Sequence, residues 1–206
     1  MAAPTPHLWL LAGANGVGKT TFARARIRAV TGSVRFVNLD EIARGLSPFD
    51  PLGERIRAAR TASDMLRDFV ENRYRNGVPV LTTETTLSGR THLSLLAAAS
   101  GAGIVTHLLY FAVASPDISL ARVAQRVSEG GHDVPETDLR RRFTRSVANL
   151  PAYLAAVDDW VVHDANGPLP VPVGSGRRGC RDRLRLDGAS LPAGLAQTLR
   201  ELPVCQ

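Results

Sequence analysis

Residues 13–20 read Gly13-Ala14-Asn15-Gly16-Val17-Gly18-Lys19-Thr20, and this stretch fits the pattern G-x-x-x-x-G-K-[ST]. In that pattern, backbone N–H groups wrap around the phosphates of a nucleoside triphosphate, either ATP or GTP. The glycines permit backbone angles and close approaches that a side chain would block. Lys19 is a compact charge that can reach the β- and γ-phosphates, and Thr20 offers a hydroxyl to Mg²⁺.

The residues that flank this loop predict a strand before it and a helix after it. Residues 7–12 are a short apolar strand, and residues 20–30 have helical character. The positive end of that helix would face the phosphates. The alternative, a glycine-rich turn that binds nothing, is disfavoured by this setting. We therefore predict ATP and Mg²⁺ as cofactors, Thr20 as the metal ligand, and nucleotide binding by Gly13, Ala14, Asn15, Gly16, Val17, Gly18, Lys19, Thr20 and Thr21.

Composition narrows the class of protein. The 206 residues suit one α/β domain, and the net charge of +6 comes from arginines, with Lys19 as the single lysine. The arginines are scattered, so an anionic substrate explains them and a nucleic-acid partner is not favoured. The N-terminus lacks a basic signal region and no apolar run could span a bilayer, which predicts a cytoplasmic location without a membrane partner. Cys180 and Cys205 lie near the C-terminus, and nothing else suggests a disulfide framework.

Strand and helix patterns alternate along the chain. This alternation, with the glycine-rich loop after the first strand, predicts an α/β fold in which about five parallel strands carry helices on both faces. We predict a kinase domain over 1–167, with the lid at about 117–150, and a tail over 168–206 that is partly ordered and packs on the core. The predicted strands are 7–12, 34–38, 78–83, 104–113 and 160–163, and the predicted helices are 20–30, 41–47, 52–76, 91–100, 117–128 and 136–150.

Polar residues follow the predicted strands, at the edge where open α/β sheets bind ligands. Asp40 follows the second strand, where a carboxylate can accept a proton from a substrate hydroxyl or orient water around Mg²⁺. Its alternative role is the N-cap of the helix from Glu41. Glu84, Thr85 and Thr86 end the third strand and suit a polyhydroxylated substrate or a water ligand of Mg²⁺, although a turn and helix cap fits them equally. Asp164 occupies the corresponding place after the fifth strand.

The predicted lid carries arginines on two helices. Arg122 and Arg126 stand four residues apart and share one helix face. A break over 129–135 contains Gly130-Gly131, and the next helix opens with the triplet 140–142, which is Arg140-Arg141-Arg142. Such cations can close over a triphosphate and neutralise the charge that develops in phosphoryl transfer. A solvated pair of basic helices is the alternative, and His132 and Asp133 fit loop caps better than a catalytic pair.

Four segments together resemble the zeta-toxin family of P-loop kinases, and more closely its chromosomal branch often labelled a predicted ATPase. The segments are GANGVGKTTFA, FVNLDEIARGLSP, TETTL and RVSEGGHDVPETDLRRRFTRSVANL, and the resemblance covers Leu8 to about Gly167. It implies a fold of the P-loop NTPase kinase type, a three-layer sandwich with a five-stranded core and a helical lid. It also implies transfer of the ATP γ-phosphate to a hydroxyl of a nucleotide-sugar. In characterised toxins of the family that sugar is UDP-N-acetylglucosamine.

The resemblance also implies residue roles. Lys19 and Thr20 would hold phosphates and Mg²⁺, and Asp40 would be the base. Glu84 and Thr86 would contact the acceptor. Arg126 would stabilise the transferring phosphoryl group, and Arg122 would pack on adenine. Two positions depart from the family pattern. Ser88 replaces an arginine, with Arg90 two residues on, and His132 replaces a lid arginine whose charge Arg141 or Arg142 could supply. We assign Arg142 to catalysis and Arg90 to the acceptor, and a toxin role would require an antitoxin acting in trans.

Other functions share the same core parts. A kinase of another hydroxylated small molecule, such as an antibiotic, a polyol or a nucleoside, differs only in the acceptor. A nucleotide-driven switch or transporter-type ATPase is suggested faintly by residues 87–90 (LSGR), which lack most of the transporter signature. A nucleic-acid 5′-hydroxyl kinase would use the basic segment at 167–185 and would bind oligonucleotides in a salt-sensitive way.

Overall fold

A computed structural model describes residues 4–72, 79–131 and 133–206. The strands are β1 His7–Ala12, β2 Phe36–Val37, β3 Val80–Thr85, β4 Val105–Ala112, β5 Asp159–Asp164, β6 Val171–Arg177 and β7 Cys180–Leu184. The helices are α1 Lys19–Thr31, α2 Leu39–Leu46, α3 Arg55–Asn72, α4 Thr91–Gly101, α5 Pro116–Ser128, α6 Glu136–Ala156 and α7 Leu195–Glu201. The end of the helix predicted over 52–76, the first residue of the strand predicted over 78–83 and the predicted loop cap His132 lie outside the described residues.

The strands form one sheet in the order β2-β3-β1-β4-β5-β6-β7. Strands β1 to β5 pair in parallel, which confirms the predicted parallel sheet, and β6 and β7 extend it in antiparallel pairing. The register sets Ala12 of β1 beside Thr85 of β3 and Tyr110 of β4. The carboxyl ends of the three strands are therefore level, and side chains that follow them meet at one edge of the sheet.

Helices cover both faces of the sheet because alternate residues of each strand point to opposite sides. On one face, Leu8 and Leu10 of β1 pack in a cluster with residues of α3, α4, α6 and α7. On the other face, Leu11 joins a cluster that includes Ile27 of α1 and Phe143 of α6. The result is the predicted three-layer sandwich of the P-loop kinase type.

Two predicted elements have different bounds. The second strand, predicted over 34–38, is only β2, because Asn38 already caps α2 through its side chain. The helix predicted over 136–150 continues to Ala156 although Pro151 lies inside it. Proline removes one helical hydrogen bond, but Leu150, Tyr153 and Leu154 are fully buried, and their packing stabilises the extra turns.

The C-terminal segment is more regular than the sequence predicted. The stretch over 167–185, predicted as a flexible hairpin or a partly ordered segment, contains the β6–β7 hairpin, and α7 follows it, so the sheet runs across the predicted boundary between 167 and 168. Cys180 and Cys205 form a disulfide, which corrects the expectation of unpaired cysteines. Among the described residues, every helix is too short or too polar to span a membrane.

Candidate active site

The phosphate-binding loop lies between β1 and α1 and is pressed against neighbouring backbone. A Cβ atom on Gly13, whose φ is +135°, would collide with the carbonyl oxygen of Phe111. A Cβ atom on Gly16 would lie 2.6 Å from the carbonyl oxygen of Ser119 in α5. Both positions therefore require glycine, as the sequence pattern predicted. The loop ends at Gly18, which adopts a left-handed conformation immediately before α1.

Lys19 is buried at the centre of this loop, with 5% of its side chain exposed. Its Nζ atom donates to the carbonyl oxygens of Gly13 at 2.8 Å and Ala14 at 2.9 Å, and it lies 3.6 Å from Oε1 of Glu84. Burial lowers the pKa of Lys19 below its usual value, whereas the negative charges of Glu84 and Asp40 raise it. The lysine that the motif assigns to the phosphates is thus held in place by carbonyls and a carboxylate.

Glu84 joins β3 to the phosphate-binding loop. Its Oε2 atom accepts hydrogen bonds from the hydroxyl of Thr20 at 2.9 Å and from Nδ2 of Asn38 at 2.8 Å. The structure therefore brings Glu84 into hydrogen-bond contact with Thr20, the predicted metal ligand. A role of Glu84 in holding a water molecule bound to Mg²⁺ stays a prediction. Its contact with an acceptor remains a prediction. Asn38 is a site residue that was not predicted, although an asparagine before a helix with two acidic residues in its first turn is a recognisable cap.

Asn38, and not Asp40, is the N-cap of α2. Oδ1 of Asn38 accepts from the backbone N–H groups of Asp40 at 2.9 Å and Glu41 at 3.1 Å. Asp40 lies in the first turn of α2, and its exposed side chain is not used as a cap. Its charge acts on Lys19, so the carboxylate predicted to be the base lies beside the phosphate-binding loop.

Arg142 is the least exposed member of the arginine triplet, and its Nη2 atom lies 3.8 Å from Oδ2 of Asp138. Burial lowers the pKa of Arg142, the like charge of Arg55 lowers it further, and the charges of Asp138 and Asp40 oppose both effects. Arg140 instead bridges two acidic residues, because its guanidinium donates to Asp117 of α5 at 2.8 Å and to Glu136 at 2.7 Å. The structure therefore separates the roles of residues that the sequence could not distinguish.

The two predicted arginines of α5 differ in their surroundings. Arg126 is half-buried, and its positive charge lowers the pKa of Lys19, which places the guanidinium close to the phosphate-binding loop. Arg122 donates to the carbonyl oxygens of Ala165 and Asn166, both at 2.8 Å, and so holds the chain that follows β5. Packing of Arg122 on adenine remains a prediction. Asp164 accepts a hydrogen bond from the backbone N–H of Ser190 at 2.8 Å and so also supports the chain that follows β5.

The loop after β3 contains the predicted acceptor residues and is held by α6. The hydroxyls of Thr86 and Ser88 lie 2.9 Å apart, and buried Leu87 between them has a φ of +54°, which is unfavourable for leucine. Nδ2 of Asn149 donates to the carbonyl oxygen of Leu87 at 2.9 Å, and Oδ1 of Asn149 accepts from Nε of Arg90 at 3.3 Å. Asn149 fixes the loop, yet its position within a long helix gave no signal in the sequence.

The site has oxygen atoms that suit Mg²⁺. Mg²⁺ prefers oxygen ligands and usually binds one or two protein oxygens together with substrate phosphates and water. The hydroxyl of Thr20 and the carboxylate of Glu84 are adjacent and fit that requirement. In residues 4–72, 79–131 and 133–206, no cluster of three or more His, Cys, Asp or Glu side chains is placed to hold a metal without such phosphates.

The fold and the glycine-rich loop define the chain as a P-loop protein of the kinase type. Its sequence identifies the family more closely, because residues 8–148 match the family AAA_33, described as an AAA domain. The chain therefore belongs to this family. An uncharacterized protein of Haemophilus influenzae (strain ATCC 51907 / DSM 11121 / KW20 / Rd) is 30% identical over 131 residues, which cover 64% of this chain and 88% of that protein.

Solved structures share the fold. The native AvrRxo1-ORF1:ORF2 complex matches with a TM-score of 0.68 and 18% identity, over 95% of this chain and 63% of that chain. The same complex with ATP gives a TM-score of 0.65 at 18% identity, over 97% and 64% of the two chains. The PezAT chromosomal toxin–antitoxin system of Streptococcus pneumoniae gives 0.62 at 18% identity, over 98% and 80%. Our chain thus spans less than two thirds of the AvrRxo1 chains that it matches.

Proposed function

We propose that the protein is an ATP-dependent small-molecule kinase that transfers the γ-phosphate to a hydroxyl group. The observation that carries this proposal is the position of Asp40. Asp40 lies in the first turn of α2, and its charge acts on Lys19 of the phosphate-binding loop and on Arg142 of α6, while the charge of Arg126 of α5 also acts on Lys19. A base next to the γ-phosphate site serves transfer to a hydroxyl, whereas a switch protein has no need of one.

In the proposed reaction, Asp40 takes the proton of the acceptor hydroxyl. The hydroxyl oxygen forms a bond to the γ-phosphorus, and the bond from that phosphorus to the β–γ bridging oxygen breaks, so that its electron pair leaves with ADP. Lys19, Arg126 and Arg142 stabilise the negative charge on the transferring group and on the leaving phosphate. Asp40 then releases the proton to solvent as the products leave.

Thr20 and Glu84 would hold Mg²⁺, directly or through water, and Asn38 would orient Glu84 by its hydrogen bond. When bound, Mg²⁺ would neutralise part of the negative charge of the ATP phosphates. ATP as the nucleotide is supported by the ATP-containing structure among the neighbours that share the fold.

For the acceptor we propose a sugar-nucleotide such as UDP-N-acetylglucosamine, following the resemblance of the four motif segments to zeta toxins. A protein inhibitor that acts in trans belongs to the same proposal, since one structural neighbour is described as a toxin–antitoxin system. A cytoplasmic location follows from the need for ATP. Another hydroxylated small molecule as acceptor would change only the acceptor contacts predicted for Glu84, Thr86 and Arg90 and would leave the other residue roles as they are.

The proposal is tested by incubating the protein with γ-labelled ATP and either UDP-N-acetylglucosamine or a bacterial metabolite extract, followed by mass spectrometry of labelled products. We expect a phosphorylated small molecule with the wild type and none with Lys19→Ala. Release of inorganic phosphate with no phosphorylated acceptor in either mixture would point to a switch ATPase and overturn the proposal.

A further inference from the structure

The turn that follows β5 lies beside the phosphate-binding loop. Ala165 of this turn packs in the same apolar cluster as Ala14 and Val17 of the loop. Helix α5 packs against the loop at Ser119, and Arg122 lies one helical turn further along the same face. The base of a nucleotide whose phosphates occupy the loop would therefore meet Arg122 and the turn after β5.

Arg122 is held by the backbone of this turn. Its Nη1 and Nη2 atoms donate to the carbonyl oxygens of Ala165 and Asn166, both at 2.8 Å. These N–H groups lie in the plane of the guanidinium, so Arg122 can still present a flat face to an aromatic ring. The direction of that face is set by the two carbonyl groups, and therefore by whatever holds the turn.

The side chain of Asn166 joins the turn to two other parts of the chain. Its Oδ1 atom accepts from the backbone N–H of Ala114, just beyond β4, at 2.9 Å. Its Nδ2 atom donates to Oδ1 of Asp164 and to the carbonyl oxygen of Ser190. The N–H of Ser190 donates in return to Oδ2 of Asp164 at 2.8 Å. The amide of Asn166 is thus fully used within the protein, which suits positioning and not ligand contact.

Ser190 belongs to the segment 185–194, which connects β7 to α7. Both its N–H and its carbonyl group pair with the turn, so this segment is attached to the turn at two points. The segment lies beyond the family match, which ends at residue 148. A part of the chain outside that match therefore supports the residue predicted to pack on adenine.

We propose that Asn166 is a positioning residue for the nucleotide base and that the segment 185–194 is part of the nucleotide site. Ser190 and Ala114 fix Asn166, Asn166 fixes the carbonyl groups of the turn, and those carbonyl groups orient Arg122 against the base. The inference rests on the proposed use of ATP and on the packing of adenine on Arg122. It adds a role in nucleotide binding for the C-terminal part of the chain.

Calorimetry with two probes in the presence of Mg²⁺ tests this role. The probes are ADP and inorganic pyrophosphate, which has two phosphates but no base. We expect the wild type to bind ADP more tightly than pyrophosphate. Asn166→Ala should weaken ADP binding about tenfold, as expected for the loss of one or two net hydrogen bonds, and should leave pyrophosphate binding unchanged. Arg122→Ala should show the same difference between the probes.

Ser190→Pro tests the segment 185–194 directly, and it also serves if Asn166→Ala fails to fold. It removes the N–H that Asp164 accepts but changes no side chain of the turn. ADP binding should again weaken while pyrophosphate binding stays the same. Arg181→Ala is the matched control, because it removes a hydrogen bond from β7 to the carbonyl oxygen of Leu202 and should bind both probes as the wild type does.

The two probes separate this inference from the kinase proposal. A wild type that binds neither probe would overturn both. Equal affinity of the wild type for ADP and pyrophosphate would overturn the inference alone, and so would unchanged ADP affinity in Asn166→Ala or Ser190→Pro. An equal loss of affinity for both probes in these variants would also overturn it, because the network would then support the fold as a whole and not the base.

Discussion

Replacing Glu84 by glutamine should destabilise the protein strongly, because it removes the negative charge beside a buried lysine. Glu84 is 17% exposed and Lys19 is 5% exposed. Glutamine has nearly the same shape, and its carbonyl oxygen can still accept from Thr20 and Asn38. The substitution therefore tests the charge and leaves the packing in place.

The magnitude follows from the distance between the two charges. At 3.6 Å and an effective dielectric constant of about 20, the attraction between Lys19 and Glu84 is about 5 kcal/mol. The two carbonyl oxygens that also contact Lys19 retain part of its stabilisation. We therefore expect Glu84→Gln to lower the free energy of unfolding by about 3 kcal/mol, or to lower Tm by roughly 6–12 °C.

The pH dependence has a defined sign. Burial already lowers the pKa of Lys19 in the folded state, and loss of Glu84 lowers that pKa further. Between the folded pKa and the unfolded pKa, the unfolded chain binds more protons than the folded chain, so stability rises with pH. The free energy of unfolding of Glu84→Gln should therefore recover as pH rises toward 10.5, and more so than that of the wild type.

Urea unfolding at several pH values measures both effects, and Glu41→Gln is the control. Glu41 makes the same kind of ion pair with Arg24 and Arg44, but it is 43% exposed, so its loss should cost less than about 1 kcal/mol. If Glu84→Gln is no less stable than Glu41→Gln, the reasoning about the buried pair is refuted.

Three further predictions concern stability. Asn149→Ala removes the donor to the carbonyl of Leu87 and should cost about 1–2 kcal/mol in urea unfolding; unchanged stability would show that the loop does not need it. Burial lowers the pKa of His163 to about 4. Between about pH 6.5 and 4, the unfolded chain therefore takes up a proton that the folded chain does not. As pH falls through this range, the free energy of unfolding of the wild type should decrease by up to about 3 kcal/mol. His163→Phe should abolish that part of the loss, and parallel pH profiles of the two proteins would contradict it. Reduction of the bond between Cys180 and Cys205, which closes a loop of 25 residues, should lower stability by about 3 kcal/mol; identical unfolding midpoints with and without reductant would disprove this.

The parallel core could be predicted because its signals are local. The glycines at 13, 16 and 18 and the apolar strand before them are contiguous in sequence, and the strands that follow alternate with helices at regular spacing. Asp40 and Glu84 could be selected because the carboxyl ends of parallel strands share one edge. These inferences needed no knowledge of contacts between distant residues.

The C-terminal strands depend on a distant contact. Residues 171–177 read VPVGSGR, with two glycines and a proline, which are weak strand formers. In the structure, a Cβ atom on Gly176 would lie 2.6 Å from the ring of Trp160. The glycine is therefore needed where β6 passes over the tryptophan of β5, a reason that only the folded chain reveals. The disulfide between Cys180 and Cys205 likewise depends on the fold, because the folded chain brings together two cysteines that are 25 residues apart.

The division of labour in the lid also required the structure. Arg140, Arg141 and Arg142 are consecutive, and only the structure shows that Arg140 bridges Asp117 and Glu136 while Arg142, which lies 3.8 Å from Asp138, is the least exposed of the three.

The most direct test of the central claim is phosphoryl transfer by Asp40→Asn. Loss of a general base typically costs about 10²–10⁴-fold in rate. We predict that Asp40→Asn binds Mg·ATP as the wild type does but forms labelled product at least about a hundredfold more slowly. An Asp40→Asn variant that phosphorylates the acceptor at the wild-type rate would contradict the account.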